Sequence, residues 1–393
     1  MNIRSQFLNH LAQTSDAPLA LDIVKAHGNY LYDRAGKAYL DLIGGISVCN
    51  VGHTHPKVVA AIQKQAADYL HVMVYGELIQ SPQVDYASKL AQVLPDPLNA
   101  VYFTNSGSEA TEGAIKLARR VTGKTEIVAA HKSYHSSTLG ALSVMGDEYW
   151  RNAFRPLLPG VWHHDYNSEA FLNAINKNTA CVIIEPIQAE SGVCMPNKAW
   201  IQSVRNKCSE LGALLIIDEI QTGFGRTGKM WGFEHSELIP DIVLLGKALG
   251  GGMPLGAFVA AKEHMQQLST NPVLGHITTF GGHPVSCAAG IAALAVLLEE
   301  KLIEQIEEKS NLFLKELQHE KIKQVRAKGL LIAIELESSE LVLASIQGCL
   351  ENNLFSDWFL FAPNCIRIAP PLTITLEEIE SACKAIKHVL SSL

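Results

Sequence analysis

Lys247 stands where a lysine is costly. It follows the apolar run of "DIVLLGKALGGGMP" (241–254) by two residues, at the end of what reads as an interior strand. A lysine amine is strongly hydrated and is seldom buried without a partner. In a parallel sheet, ligands bind beyond the carboxyl ends of the strands, so this amine would point into such a crevice. Partial burial there lowers its pKa and makes it nucleophilic toward carbonyls. The glycines that follow let the backbone pass close to a ligand. Asp218, in "LLIIDEIQTGFGRTG" (214–228), ends the preceding strand after four apolar residues. A carboxylate there needs a cation or hydrogen bonds, or it is neutralised.

If Asp218 and Lys247 face one crevice from neighbouring strand ends, they offer what pyridoxal phosphate requires. An aspartate keeps the ring nitrogen protonated, and a lysine amine takes the aldehyde. A phosphate cup should accompany them. "VYFTNSGSEATEGAIKLARRV" (101–121) runs strand, tight turn, helix. Ser106 and Glu109 have the spacing of a capping box, and Ala114, Leu117, Ala118 and Val121 form a docking stripe. The free N–H groups near Gly107 and Ser108 form an anion site without needing a lysine.

The elements that must hold these residues are read from apolar patterning. Strands are expected at 100–104, 126–130, 180–186, 213–219, 241–245 and 256–261, separated by amphipathic helical stretches. Runs apolar on both faces predict a mostly parallel sheet covered by helices on both sides. After about residue 285 the pattern changes. Residues 284–318 read as one long helix or a broken pair, followed by a small α+β region. The expected organisation is an N-terminal segment (1–48) contributing to a small domain, a large cofactor-binding domain (49–285), and a C-terminal α+β part (286–393).

Seven segments in order, "TNSGSEATEGAIKLAR", "SYHSSTLGALS", "EPIQAESGV", "IIDEIQTGFGRTG", "LLGKALGGGMPLGA", "TTFGGHPVSCAAG" and "IRIAPPLTIT", resemble the motifs of class III aminotransferases. These are α/β enzymes of PLP fold type I, including the acetylornithine, ornithine and 4-aminobutyrate aminotransferases. The resemblance implies that Lys247 anchors the cofactor covalently and shuttles the substrate proton, while Asp218 pairs with the ring nitrogen. Gln221 would sit near the phenolic oxygen, Ile220 under the ring and Tyr134 over its other face. Ser106, Gly107 and Ser108 would hold the phosphate, with His135 and Glu185 completing the cofactor site. Thr279 would reach the phosphate in a partner subunit, which implies a homodimer. Arg367 would bind the α-carboxylate of glutamate or 2-oxoglutarate, and Glu190 would pair with it when no α-carboxylate is present.

The chain departs from its relatives after His135. Many carry Gly-Arg there, and that arginine often clamps a substrate carboxylate; here Ser136 and Ser137 stand instead. A serine cannot make the bidentate, charge-assisted pair of an arginine. The expected reaction is therefore ping-pong transamination between an ω-amino donor and 2-oxoglutarate, with the donor open among ornithine-type compounds, other ω-amino acids and diamines. Ser137, Tyr75 and Glu77 are candidates for donor recognition. A PLP-dependent aminomutase, epimerase or decarboxylase on the same scaffold is the competing reading.

Bulk properties exclude other classes. Over 393 residues the net charge is -7 with no basic stripe, which argues against nucleic acid. No stretch approaches the length of a bilayer span, and no signal peptide is apparent. The eight cysteines lack C-x-x-C spacing, as expected of reduced thiols in a cytoplasmic protein. There is no G-x-G-x-x-G or Walker loop after an early strand to suggest a nucleotide binder. "HTHP" (53–56) and "HHD" (163–165) lack a third ligand at metal spacing, so no metal is expected.

Overall fold

The computed structural model describes residues 2–393. Its centre is a seven-stranded sheet in the order 100–104, 256–260, 242–245, 214–218, 179–184, 126–130 and 161–164. All neighbours pair in parallel except around Gly256–Ala260, which runs antiparallel to both of its neighbours. The edge strand Val161–His164 was not anticipated from sequence; it contains the "HH" that could have read as a metal motif.

The central strands are buried along their whole length. Their alternating residues separate into two cores, because side chains in a strand point to opposite faces. Val182, Ile184, Leu215, Ile217, Val243 and Leu245 share one core with Trp200, Ile201 and Val204 of the helix Lys198–Leu211. Cys181, Ile183, Leu214, Ile216, Ile242 and Leu244 face the other way, against Ala110, Ala114, Leu117 and Ala118 of the helix Gly107–Thr122. That helix approaches the sheet closely: a Cβ at Gly113 would lie 2.3 Å from the Phe258 ring.

The 284–318 stretch is a broken pair. Pro284–Glu299 and Ile306–Glu316 are helices separated by a short 3-10 turn, and Lys301 adopts φ +50° at the break. Beyond the main sheet are two four-stranded sheets. One joins the N-terminal strands Ile23–His27, Tyr30–Asp33 and Ala38–Asp41 to Leu354–Phe355. The other comprises Gln324–Lys328, Leu331–Glu335, Ala362–Ile368 and Asp357–Phe359. Among the described residues, no helix is long and apolar enough to cross a membrane.

Candidate active site

The strands ending at Asp218 and Leu245 are parallel neighbours, with Asp218 paired in register with Leu244. Register therefore places Asp218 beside the turn that begins at Lys247. The crevice at these strand ends is lined by Gly107, Tyr134, His135, Ser136, Glu185, Asp218, Ile220, Gln221, Thr222 and Lys247. Ser136 and Thr222 were not singled out as binding residues from sequence. Their signal is positional, since each directly adjoins a residue that was.

Lys247 adopts φ +47°, a left-handed conformation that costs energy in a non-glycine residue and is found preferentially at functional sites. Its Nζ donates to Gln221 Oε1 at 2.9 Å. That partner is neutral, so burial dominates and holds the Lys247 pKa below the usual lysine value despite Glu190 and Asp218 nearby. Asp218 is held from two sides: the Ile220 N–H donates to Oδ1 at 3.0 Å, and His135 Nδ1 lies 2.7 Å from Oδ2. Glu185 accepts from the backbone N–H groups of Tyr134 at 3.0 Å and Ala189 at 3.1 Å. Burial pushes its pKa up to about 7, with His135 opposing and Asp218 adding to the rise.

The phosphate cup differs in detail from the capping box expected. Ser106 Oγ accepts from the Glu109 N–H at 3.3 Å, but the Glu109 carboxylate returns to the Asn105 N–H at 2.7 Å rather than to Ser106. Ser108 Oγ donates to Ser136 Oγ at 2.6 Å, tying the first helical turn to the segment after His135. A Cβ at Gly107 would come within 2.8 Å of Ile220 Cδ1, so glycine lets Ile220 sit against the cup. Ser136 has φ +98°, a conformation that favours glycine.

Pyridoxal phosphate fits these residues. His135 Nε2 and Gln221 Nε2 are buried without hydrogen-bond partners, and buried polar atoms left unpaired call for an explanation. A polar ligand in the crevice is one. The N-terminus at Gly107 and Ser108 suits a phosphate, and Asp218 suits a protonated ring nitrogen.

Beyond the crevice, Arg367 and Glu190 meet from segments 177 residues apart. Arg367 Nη1 and Nη2 donate to Glu190 Oε1 and Oε2 at 2.9 and 2.8 Å, with both residues nearly fully buried. Burial lowers the Arg367 pKa, but Glu190 and Asp357 more than offset this, so it rises. The remaining sequence candidates lie elsewhere within this chain. Ser137 is exposed and does not line the crevice. Thr279 is exposed, and Tyr75 lines a separate groove with Thr278 and Gly281. His71 and Phe280 pack at 4.8 Å, bringing the segments that carry Tyr75 and Thr279 together on one surface. The two histidine motifs have separate partners: His53 bonds Asp41 at 2.7 Å, His55 faces Glu300 at 3.3 Å, and His163 lies 2.8 Å from the Arg151 guanidinium.

Comparison with known proteins agrees with this architecture. The family model described as "Aminotransferase class-III" matches residues 11–390. A solved ornithine aminotransferase from Toxoplasma gondii is 31% identical with a TM-score of 0.91, the match covering 99% of this chain and 93% of that one. An (S)-enantioselective omega-transaminase from Thermomicrobium roseum gives 28% identity and a TM-score of 0.91, over 99% and 97% of the two chains. The adenosylmethionine-8-amino-7-oxononanoate aminotransferase of Methanocaldococcus jannaschii is 30% identical with a TM-score of 0.90, over 99% and 98%. With a match running nearly from end to end, and a strand-end crevice fitted to the cofactor these enzymes use, the chain belongs to the PLP-dependent class III aminotransferases.

Proposed function

We propose that this enzyme moves an amino group from an ω-amino donor to 2-oxoglutarate by a ping-pong mechanism, acting as a homodimer. The observation that carries this reading is the buried Arg367–Glu190 pair. Arg367 presents a fork suited to an α-carboxylate; Glu190 occupies that fork when the molecule in the site has none. One site can then accept an ω-amine in one half-reaction and glutamate in the other. Ornithine- or N-acetylornithine-like compounds, other ω-amino acids and diamines remain the donor classes. The ornithine aminotransferase and omega-transaminase among the similar structures support that range.

When bound, PLP supplies an electrophilic aldehyde and a protonated ring that draws electrons from the substrate carbon. The chain's own residues prepare this chemistry. Lys247, its pKa lowered by burial, would hold the cofactor through Nζ, and the same Nζ would hold and move the proton taken from the substrate carbon. Asp218 would hold a proton on the ring nitrogen, and His135 fixes the carboxylate. Tyr134 and Ile220 would bracket the ring, Gln221 would face its oxygen, Ser106, Gly107 and Ser108 would bind phosphate, and Glu185 holds the Tyr134 backbone.

The homodimer is supported by apolar residues exposed beside Thr279, Ile277 at 50% and Phe280 at 52%, and by Ile79 at 95% in the groove that Thr278 lines; exposed apolar surface of this kind commonly marks an interface. Thr279 would there reach a partner's cofactor. Eight free cysteines support a cytoplasmic, reducing setting.

The test is the donor half-reaction. PLP-loaded protein is mixed singly with ornithine, N-acetylornithine, lysine, 4-aminobutyrate, β-alanine, putrescine and glutamate while the cofactor's visible absorbance is followed. Bleaching by glutamate and by one ω-amine is the expected result and names the donor. An intact band with every compound would overturn the reading.

A further inference from the structure

Arg367 is enclosed by more than Glu190. The strand Asp357–Phe359 pairs antiparallel with Ala362–Ile368, and Asp357 stands directly opposite Arg367 in register. Trp358 O accepts from Arg367 Nη2 at 2.8 Å, and the Phe359 ring lies 4.7 Å from the guanidinium carbon. Ser356 Oγ donates to Arg367 O at 2.8 Å. The same hairpin also holds Glu190: the Leu360 N–H donates to Oε2 at 3.0 Å, and the Phe361 N–H donates to its backbone oxygen at 3.0 Å. One short hairpin therefore grips both halves of the ion pair.

The two edges of the guanidinium are used differently. An arginine presents five N–H donors in a rigid fork. Glu190 takes the Nη1–Nη2 edge, the one an incoming α-carboxylate needs. Asp357 Oδ1 sits beside the other edge, 3.0 Å from Nε, but the two are not aligned as a hydrogen bond, and neither atom has another partner. This contact is electrostatic and uses a different edge of the guanidinium from Glu190; burial pushes the Asp357 pKa up to about 6, Arg367 opposing the rise and Glu190 adding to it. Displacing Glu190 from a residue only 3% exposed would otherwise strip a buried cation of its counter-ion, a costly step.

We propose that Asp357 is a positioning residue for the α-carboxylate site, the resident counter-ion that holds Arg367 oriented and charge-balanced while Glu190 is exchanged for the carboxylate of glutamate or 2-oxoglutarate. The inference rests on the assignment of Arg367 proposed above and adds a third group to that exchange. Asp357 touches neither cofactor nor reacting carbon. It acts through Arg367 on binding, and the chemical step is left to Lys247.

The experiment compares wild type, Asp357→Asn and Asp357→Glu, each loaded with PLP, in single-turnover reactions with glutamate; the pyridoxamine forms are then titrated with 2-oxoglutarate. Asp357→Asn keeps the shape and removes the charge. It is expected to raise the half-saturating concentration of both compounds by about tenfold while leaving the limiting rate and the melting temperature of the loaded protein near wild type. Asp357→Glu, which keeps the charge, should recover most of that affinity. Unchanged half-saturation in Asp357→Asn, or equal losses in both variants accompanied by a lower melting temperature, would overturn the proposal. Wild-type protein that fails to react with glutamate at all would instead sink the assignment of Arg367, so the two failures are distinguishable.

Discussion

Two cations, one half-buried and one buried, lie within electrostatic reach of one another, and the protein treats them in opposite ways. Lys247 faces a neutral amide, and burial lowers its pKa. Arg367 faces two carboxylates, and their charges raise its pKa against the same burial. The first arrangement makes a cation easy to discharge, which is what a nucleophile and proton carrier needs. The second keeps the charge, which would suit a carboxylate receptor if Glu190 gives way to a substrate as proposed. Desolvation is common to both; a carboxylate in direct contact is what separates the two.

The largest effect separating the two should come from Lys247→Ala. Removing this amine is expected to abolish borohydride-fixable retention of the cofactor and to lower amino transfer roughly 10³-fold. Folding stability should change little, because the amine makes no ion pair and its removal frees only the Gln221 amide oxygen. A variant that still retains cofactor covalently would reassign the anchor, as read by mass spectrometry after reduction.

Arg367→Met should do the reverse to stability. It leaves Glu190 buried without its cation, at a cost of about 3–5 kcal/mol in denaturant unfolding. Adding Glu190→Gln to that variant should recover much of the loss, and the double-mutant cycle measures the coupling. Independent, additive losses would show that the pair is not an energetic unit.

A third test converts one cation into the other. An amine reacts with an aldehyde in its neutral form, which predominates above its pKa. With that pKa lowered, the rate at which apoprotein captures the PLP aldehyde should rise with pH and level off below the 10.5 of an ordinary lysine. Gln221→Glu places a carboxylate beside Nζ, favours the protonated amine, and should move the midpoint upward. An unmoved midpoint would mean that Gln221 does not set the proton affinity of Lys247.

The smallest effect is expected at Ser136→Gly. Relief at φ +98° and loss of the 2.6 Å bond to Ser108 act in opposite directions. The net change in stability should stay under about 1 kcal/mol, while PLP affinity, read by dialysis and absorbance, falls modestly. A large drop in melting temperature would show that the serine pair, not the strain, dominates.

Much of the large sheet is legible in the sequence because its strands are apolar on both faces and short. The strands at 100–104 and 126–130 have the bounds that patterning predicts. Val161–His164 escaped notice because an edge strand with exposed Trp162 has no such signature. Lys247 and Asp218 announce themselves as charges where the pattern asks for apolar residues. Asp357 does not, since an aspartate before "WFLFAPN" reads as an ordinary turn residue until pairing sets it across from Arg367.

Composition and local pattern, which act through neighbours along the chain, determined the strands, the helix that caps the phosphate cup, and the residue types able to do this chemistry. Only tertiary structure decided which of those residues meet. Glu190 and Arg367 are 177 positions apart, and His135 and Asp218 are 83 apart. Their contacts depend on sheet order and strand register, which arise from packing the whole core and from no local preference. The same packing keeps the carboxylates near Lys247 out of direct contact with it and sets two against Arg367. The difference in their chemistry is therefore a property of the fold.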